Sequence, residues 1–219
     1  MGVRPLLANE KLLSLTAVVY PRGDRLGQLL AATSMLPLVL VVSLVTCVLC
    51  RRDLHSSFML LGQLLNELLN KAIKETVREA RPQGAPADDF GMPSSHSQFM
   101  WYFAAYHVLF VHSRAAHHNR LEVLGSCMLA VMCAVAVAYS RVYLLYHTIE
   151  QVVVGGVLGV TCAVLWRAVT IKWFAPSVFP ALEATALAKR FHFHDASHVD
   201  NIFAASAELA RKARSEKST

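Results

Sequence analysis

The chain has 219 residues, 55% of them hydrophobic and only 16% charged, with a mean hydropathy of +0.41 and a net charge of +6. Ordinary soluble domains carry about 25% charged residues, so this composition argues against a soluble globular domain and for a membrane protein. The basic excess lies between apolar runs and near the C-terminus, which ties it to membrane topology or an anionic substrate rather than to nucleic acid.

Residues 1–25 are polar and mixed, and no cleavable leader is expected because the first apolar run is too long to be one. Leu26 to Cys50 holds no charge over 25 positions and closes on Arg51 and Arg52. At about 1.5 Å per residue it crosses a hydrocarbon layer of about 30 Å. Leu54 to Asn70 is interrupted by Gln63, Asn66, Glu67 and Asn70, so it is expected as a span packed inward, with those side chains facing the bundle interior. Gln98 to Ser113 is apolar and aromatic apart from His107 and His112. Val123 to Ser140 gives 18 uncharged residues, and Thr148 to Trp166 has one acid, Glu150. The expected fold is an all-α integral membrane bundle of about five helices, with the membrane domain at 26–172. Gly155, Gly156 and Gly159 allow another helix to approach closely.

Beyond it, 173–219 opens with Pro176 and Pro180 and ends in a basic, alanine-rich helical pattern from Ala204 to Lys217, which reads as an extramembrane tail. All five cysteines (Cys47, Cys50, Cys127, Cys133, Cys162) fall in apolar stretches and are expected as buried packing.

Five crossings put 71–97, 141–147 and the N-terminal segment on one face. The opposite face carries Arg51, Arg52, Arg114, Arg120, Lys172, Lys189, Arg190, Arg211, Lys212, Arg214 and Lys217, so it is expected to be cytosolic. Residues 1–25 and the first-face loops then lie on the non-cytosolic side, and the tail is cytosolic.

Three clusters stand on that non-cytosolic face: KETVREARP (Lys74–Pro82), PSSH (Pro93–His96) and SRVYLLYHTIEQ (Ser140–Gln151). Each alone is an ordinary helix end. Together they supply three cations, two histidines and a helix start. A transferring phosphoryl group spreads charge over three oxygens, so its catalysis is mainly positioning and neutralisation. The planar forks of Arg81 and Arg141 match phosphate oxygens, Lys74 adds a point charge, and the amides near Ser95 and His96 donate from the helix start. Two histidines allow one to attack phosphorus and the other to protonate the departing oxygen. A polar head at the membrane surface with a tail in lipid explains why PSSH abuts an apolar run.

The ordered signatures K-x6-RP, P-S-x-H and SR-x5-H resemble the type 2 phosphatidic acid phosphatase superfamily. Within it, YPRGD (Tyr20–Asp24), Leu65–Pro82, Gly91–Trp101, Tyr139–Gly156 and the stretch from Phe191 to Lys217 resemble the dolichyldiphosphatase family. The resemblance implies His147 as the nucleophile forming a phosphohistidine and His96 as the general acid. It implies Lys74, Arg81, Ser94 and Arg141 as phosphate ligands, joined by Ser95 as a possible donor. It also implies hydrolysis of dolichyl diphosphate at the lumenal face of the endoplasmic reticulum, recycling the carrier for protein N-glycosylation. No metal or other cofactor and no obligate protein partner are implied; the partners are the bilayer and its lipid substrate.

The chain departs from the broad superfamily at two positions: Ser95 stands for glycine and Gln151 for aspartate, one turn beyond His147. Glutamine can orient the imidazole but not neutralise its cation, which leaves open whether Glu150 or another acid assists. Asn66 and Glu67 are expected below the site, supporting Lys74. The run His192, His194, Asp195, His198 reads as structural rather than metal-binding, Asp88 and Asp89 as solvated loop acids, and His117 and His118 as cytosolic loop residues. Another lipid phosphate as substrate, or a non-catalytic lipid-binding scaffold, are the rival readings.

Overall fold

The computed structural model describes residues 10–13, 18–87, 89–113, 119–196 and 202–216. Asp88, Arg114, His117, His118, His198 and Lys217 lie outside them. The described residues begin with an antiparallel hairpin, β1 (Glu10–Leu13) and β2 (Val18–Pro21), registered Glu10 to Pro21 and Leu13 to Val18. The helices follow: α1 (Arg25–Thr33), α2 (Leu36–Arg51), α3 (Leu54–Val77), α4 (Ser95–His112), α5 (Arg120–Tyr143) and α6 (Ile149–Val169). A π-helical stretch, Thr170–Val178, leads into α7 (Phe179–Ala184), followed by α8 (Ala186–Phe191) and α9 (Ile202–Glu216).

Among the described residues, three helical stretches, Arg25–Arg51, Arg120–Tyr143 and Ile149–Ala184, are long and apolar enough to cross a membrane. The protein is thus a multi-pass helical bundle, as its composition implies. Helix α4 is its centre, packed against α6, α5 and α3.

Helix α3 is polar inside and apolar outside. Gly62, Gln63, Asn66 and Asn70 are buried, while Leu61, Leu64, Leu65, Leu68 and Leu69 are exposed. That polarity suits lipid, where the leucines meet acyl chains and the amides must find partners within the protein. They find them on α4. Asn70 Nδ2 donates to Gln98 Oε1 (2.8 Å), and Gln98 Nε2 donates to Asn66 Oδ1 (2.8 Å). Gln63 Nε2 donates to the Phe99 carbonyl (3.3 Å).

Helices α4 and α6 meet at the glycines. A Cβ on Gly155 would stand 2.6 Å from the Ser94 carbonyl oxygen, and one on Gly159 would collide with the Gln98 carbonyl. A side chain at either position would push α4 off α6, and with it the loop that begins α4.

Three features differ from the sequence expectation. First, the helix does not break at Trp173: the wider π turn accommodates Pro176, and buried Phe179 packs on Phe58 with ring centroids 4.9 Å apart. Second, the chain beyond α8 returns to the bundle. His194 N donates to the Arg52 carbonyl, Leu54 N to the His194 carbonyl, and Ala196 N to Asp53 Oδ1 (3.0 Å). Third, the cysteines are not buried: Cys50 is exposed and the other four are half-buried, because the outer face of a membrane helix needs only apolarity, not enclosure.

Candidate active site

Three helix ends converge. Helix α3 stops at Val77, with Arg78 in the left-handed region (φ 52°). The chain then runs out through Arg81, turns at Gly84 (φ 79°) and returns to Ser94, which caps α4. The Gly91 N–H donates to the Glu79 carbonyl (2.7 Å) and closes the base of this loop. Opposite it, α5 ends at Tyr143 and the chain makes a tight turn with Leu145 at φ 58°. There the Tyr146 and His147 amides both donate to the Arg141 carbonyl (3.0 and 3.1 Å). Thr148 and Gln151 then start α6 with a capping box. That turn aims His147 back into the bundle, where its side chain is buried.

Hydrogen bonds assign the His147 tautomer from both sides. Gln151 Nε2 lies 2.8 Å from Glu79 Oε1 and 2.9 Å from the Ala80 carbonyl, both acceptors, so the amide nitrogen faces them. Gln151 Oε1 therefore faces Thr148 N (3.3 Å) and His147 Nδ1 (3.1 Å), which makes Nδ1 the protonated nitrogen. On the other edge Nε2 is 3.0 Å from Arg81 Nη1, and a guanidinium can only donate. His147 thus carries a lone pair on Nε2, pointed toward cations. Burial first, then Arg81 and Arg141, push its pKa from about 6.5 down to about 2, so the imidazole is neutral at physiological pH.

Arg81 and Lys74 are joined by Asp89. Arg81 Nη2 lies 2.7 Å and Lys74 Nζ 3.3 Å from its carboxylate, and Arg81 Nη1 also donates to the Tyr146 carbonyl (2.6 Å). Burial opposes the Asp89 charge, but the two cations outweigh it and hold the carboxyl below its usual range. Asp89 is therefore an ion-pair partner, where the sequence suggests a solvated loop acid. Its charge is shared between two cations, and its side chain is more than a third exposed, so the pairing is loose.

Arg141 is buried, with its guanidinium 3.9 Å from the centre of the Tyr146 ring and Nη1 donating to Ser34 Oγ (3.2 Å). Its Nε is buried with no hydrogen-bond partner among the described residues. A cleft of about 420 Å³ opens here, lined by Ser34, Leu38, His96, Arg141 and Tyr146. The His96 ring makes no hydrogen bond to any described residue, and neither do the amides of Ser95 and His96 in the first turn of α4. Ser94 is fully buried, its hydroxyl facing the Ser97 amide and its own amide donating to the Gln151 carbonyl (3.0 Å).

The structure thus brings together Lys74, Arg81, Ser94, Ser95, His96, Arg141, His147 and Gln151. Of the other supporting residues, Asn66 is engaged with Gln98 rather than Lys74, while Glu67, on the outer side of α3, interacts electrostatically with Lys74 two turns along the same helix. Glu150 is exposed on α6 and makes no contact with His147. Sequence reasoning missed Glu79, Ser34 and Tyr146. Tyr146 and Glu79 stand inside quoted motifs, but nothing in a string shows that their side chains meet others 65 or more positions away.

Comparison with known proteins follows the same lines. The PAP2 superfamily profile matches residues 56–175, which hold all three converging segments. The chain belongs to the PAP2 superfamily. Dolichyldiphosphatase 1 of Rhinolophus ferrumequinum is 41% identical over 211 residues, covering 92% of this chain and 88% of that protein. Lipid phosphate phosphatase gamma of Arabidopsis thaliana is 34% identical, covering 94% and 93%. The crystal structure of a transmembrane PAP2-type phosphatidylglycerolphosphate phosphatase from Bacillus subtilis superposes with a TM-score of 0.58 at 28% identity, over 69% of this chain and 80% of that one. As a PAP2 protein with these relatives, the chain is a membrane-embedded hydrolase.

Proposed function

We propose that this PAP2 protein hydrolyses dolichyl diphosphate to dolichyl phosphate and inorganic phosphate through a phosphohistidine at His147. The observation that carries the reading is the orientation of His147: its Nδ1 proton is held by Gln151, and its Nε2 lone pair faces a cluster of cations. Lys74, Arg81, Arg141 and the amides of Ser95 and His96 hold the terminal phosphate, with the Ser95 hydroxyl as a further donor. Ser94 contributes by capping and fixing α4. Nε2 attacks the terminal phosphorus. An N–P bond forms and the bond to the bridging oxygen breaks. His96, which burial and the surrounding cations hold neutral until the anionic diphosphate binds and lets it take up a proton, gives that proton to the departing dolichyl phosphate. Water then attacks the phosphohistidine, loses a proton to His96 and releases inorganic phosphate, which restores neutral His147.

Two further features support a lipid diphosphate. An apolar groove of about 560 Å³ runs between α5 and α6 from Ile149 past Val153 and Val157, floored by Trp101, and it suits an isoprenoid tail. Similarity to dolichyldiphosphatase 1 over nearly the whole chain supports the dolichyl head and tail. Residues 26–172 carry the activity. The charge distribution favours a site facing the lumen of the endoplasmic reticulum, with 173–219 cytosolic and the product returned to the N-glycosylation carrier pool. Similarity to lipid phosphate phosphatase gamma favours a second reading, in which another lipid phosphate is the substrate.

The test is phosphate release by the purified protein in detergent from dolichyl diphosphate, dolichyl phosphate and phosphatidate, with and without chelator. Dolichyl diphosphate should be the best substrate and the chelator without effect; a preference for phosphatidate would establish the second reading. His147→Ala should lower turnover at least about 10⁴-fold in a folded protein, and residual turnover near wild type would remove the nucleophile. A glycosylation acceptor placed between residues 83 and 90 should be modified; an unmodified acceptor would reverse the sidedness.

A further inference from the structure

Glu79 has no part in the mechanism above, yet it completes a chain of contacts that ends on His147. The Gln151 side chain between them is fully buried, and its amide is saturated. Oε1 accepts from Thr148 N and His147 Nδ1, and Nε2 donates to the Ala80 carbonyl and to Glu79 Oε1 at 2.8 Å. The Glu79 backbone is itself fixed by the Gly91 N–H, at a glycine where a Cβ would run into the Gln151 amide. Carboxylate, amide and imidazole are therefore held in one line by main-chain contacts on both sides.

We propose that Glu79 is the positioning carboxylate of His147, exerting its charge through the Gln151 amide. A carboxylate on the amide N–H polarises that group and raises the negative charge on Gln151 Oε1, the atom that faces the Nδ1 proton. When Nε2 bonds to phosphorus, the imidazole becomes cationic, and this is the moment at which the relayed negative charge stabilises it. Glu79 and Arg81 lie on one short segment and reach His147 from opposite edges, Arg81 directly at Nε2 and Glu79 through Gln151 at Nδ1. The segment thus sets a cation where the phosphate arrives and an anion where the ring's positive charge develops. Glu150 is exposed on α6 and takes no part.

The inference rests on His147 being the nucleophile, and the variants separate the two. Glu79→Gln keeps a group that can accept from Gln151 but removes the charge. It should lower kcat about 10- to 100-fold, with KM within about twofold and an unchanged thermal midpoint in detergent. Gln151→Glu alone sets two carboxylates against each other and should also be strongly impaired. The exchange variant, Glu79→Gln with Gln151→Glu, moves the carboxylate one link inward and should recover at least about tenfold over Gln151→Glu, because the amide at 79 can donate to it. If Glu79→Gln keeps kcat within twofold of wild type while His147→Ala is inactive, Glu79 has no such role and the nucleophile stands. An exchange variant no better than either single change, or losses that track only the thermal midpoint, would make Glu79 merely structural. An active His147→Ala would overturn both readings together.

Discussion

The two ends of the bundle both bury polar groups and use them in opposite ways. Where α3 begins, Asp53 accepts from Ser56 N (2.9 Å), Ser56 Oγ (2.7 Å) and Ala196 N (3.0 Å). Burial opposes that carboxylate, but these hydrogen bonds outweigh it and keep its pKa below the usual range. Every donor there belongs to the protein, and the result is a latch between α3 and the returning C-terminal chain. Where α3 ends, Lys74 and Arg81 both pair with the Asp89 carboxylate, and Arg141 stands near them. Among the described residues, Arg141 makes no ion pair and its Nε has no hydrogen-bond partner. A closed network holds shape. An open, cationic one is stable in a membrane protein only at a cost, and an anionic ligand is what offsets that cost.

The contrast can be broken first at Arg141. Arg141→Lys keeps the charge but loses the fork and the stacking on Tyr146, so kcat/KM should fall about 100-fold, roughly 2.7 kcal/mol of transition-state stabilisation, with little change in the thermal midpoint. A large drop in midpoint instead would make Arg141 a latch like Asp53. Asp53→Ala should show the reverse. It removes an N-cap and the Ala196 bond, costing about 2 kcal/mol of stability seen as a midpoint several degrees lower, while kcat/KM of the folded protein stays within about twofold. Activity lost in proportion would mean the two ends are coupled. The smallest effect belongs to Glu150→Gln, which should leave both quantities within about twofold or half a kcal/mol, because an exposed side chain on α6 reaches neither network. A larger loss there would return the assisting acid to Glu150.

Much of this was legible in the string. The uncharged run from Leu26 to Cys50 and its counterparts announce the spans, and the amides of α3 announce an inward polar face, because lipid gives such groups no other place to bond. The pairing of Lys74, Arg81, His96, Arg141 and His147 was readable as motif chemistry. The hairpin at 10–21 was not, since four-residue strands leave no period to detect. It forms because Val18, Tyr20 and Leu30 find a core with Leu144 and Tyr146. Glu67 was legible only in part: its neighbour Asn66 turns inward to Gln98, while Glu67, one residue of rotation away on the outer side, acts on Lys74 through its charge.

What the sequence by itself determined is a class: membrane helices, an inward polar stripe, and a set of cationic and histidine side chains of the types that phosphoryl chemistry uses. Those properties depend on composition and local period, which act within a few residues. What only the tertiary structure decided is which side chains share one small volume. The tautomer of His147, the ion pairs of Asp89, the stacking of Arg141 on Tyr146 and the line from Glu79 through Gln151 all depend on distances between separate helices. Directional bonds of about 3 Å are fixed by how helices pack, and α4 and α6 can pack this closely because Gly155 and Gly159 carry no side chain.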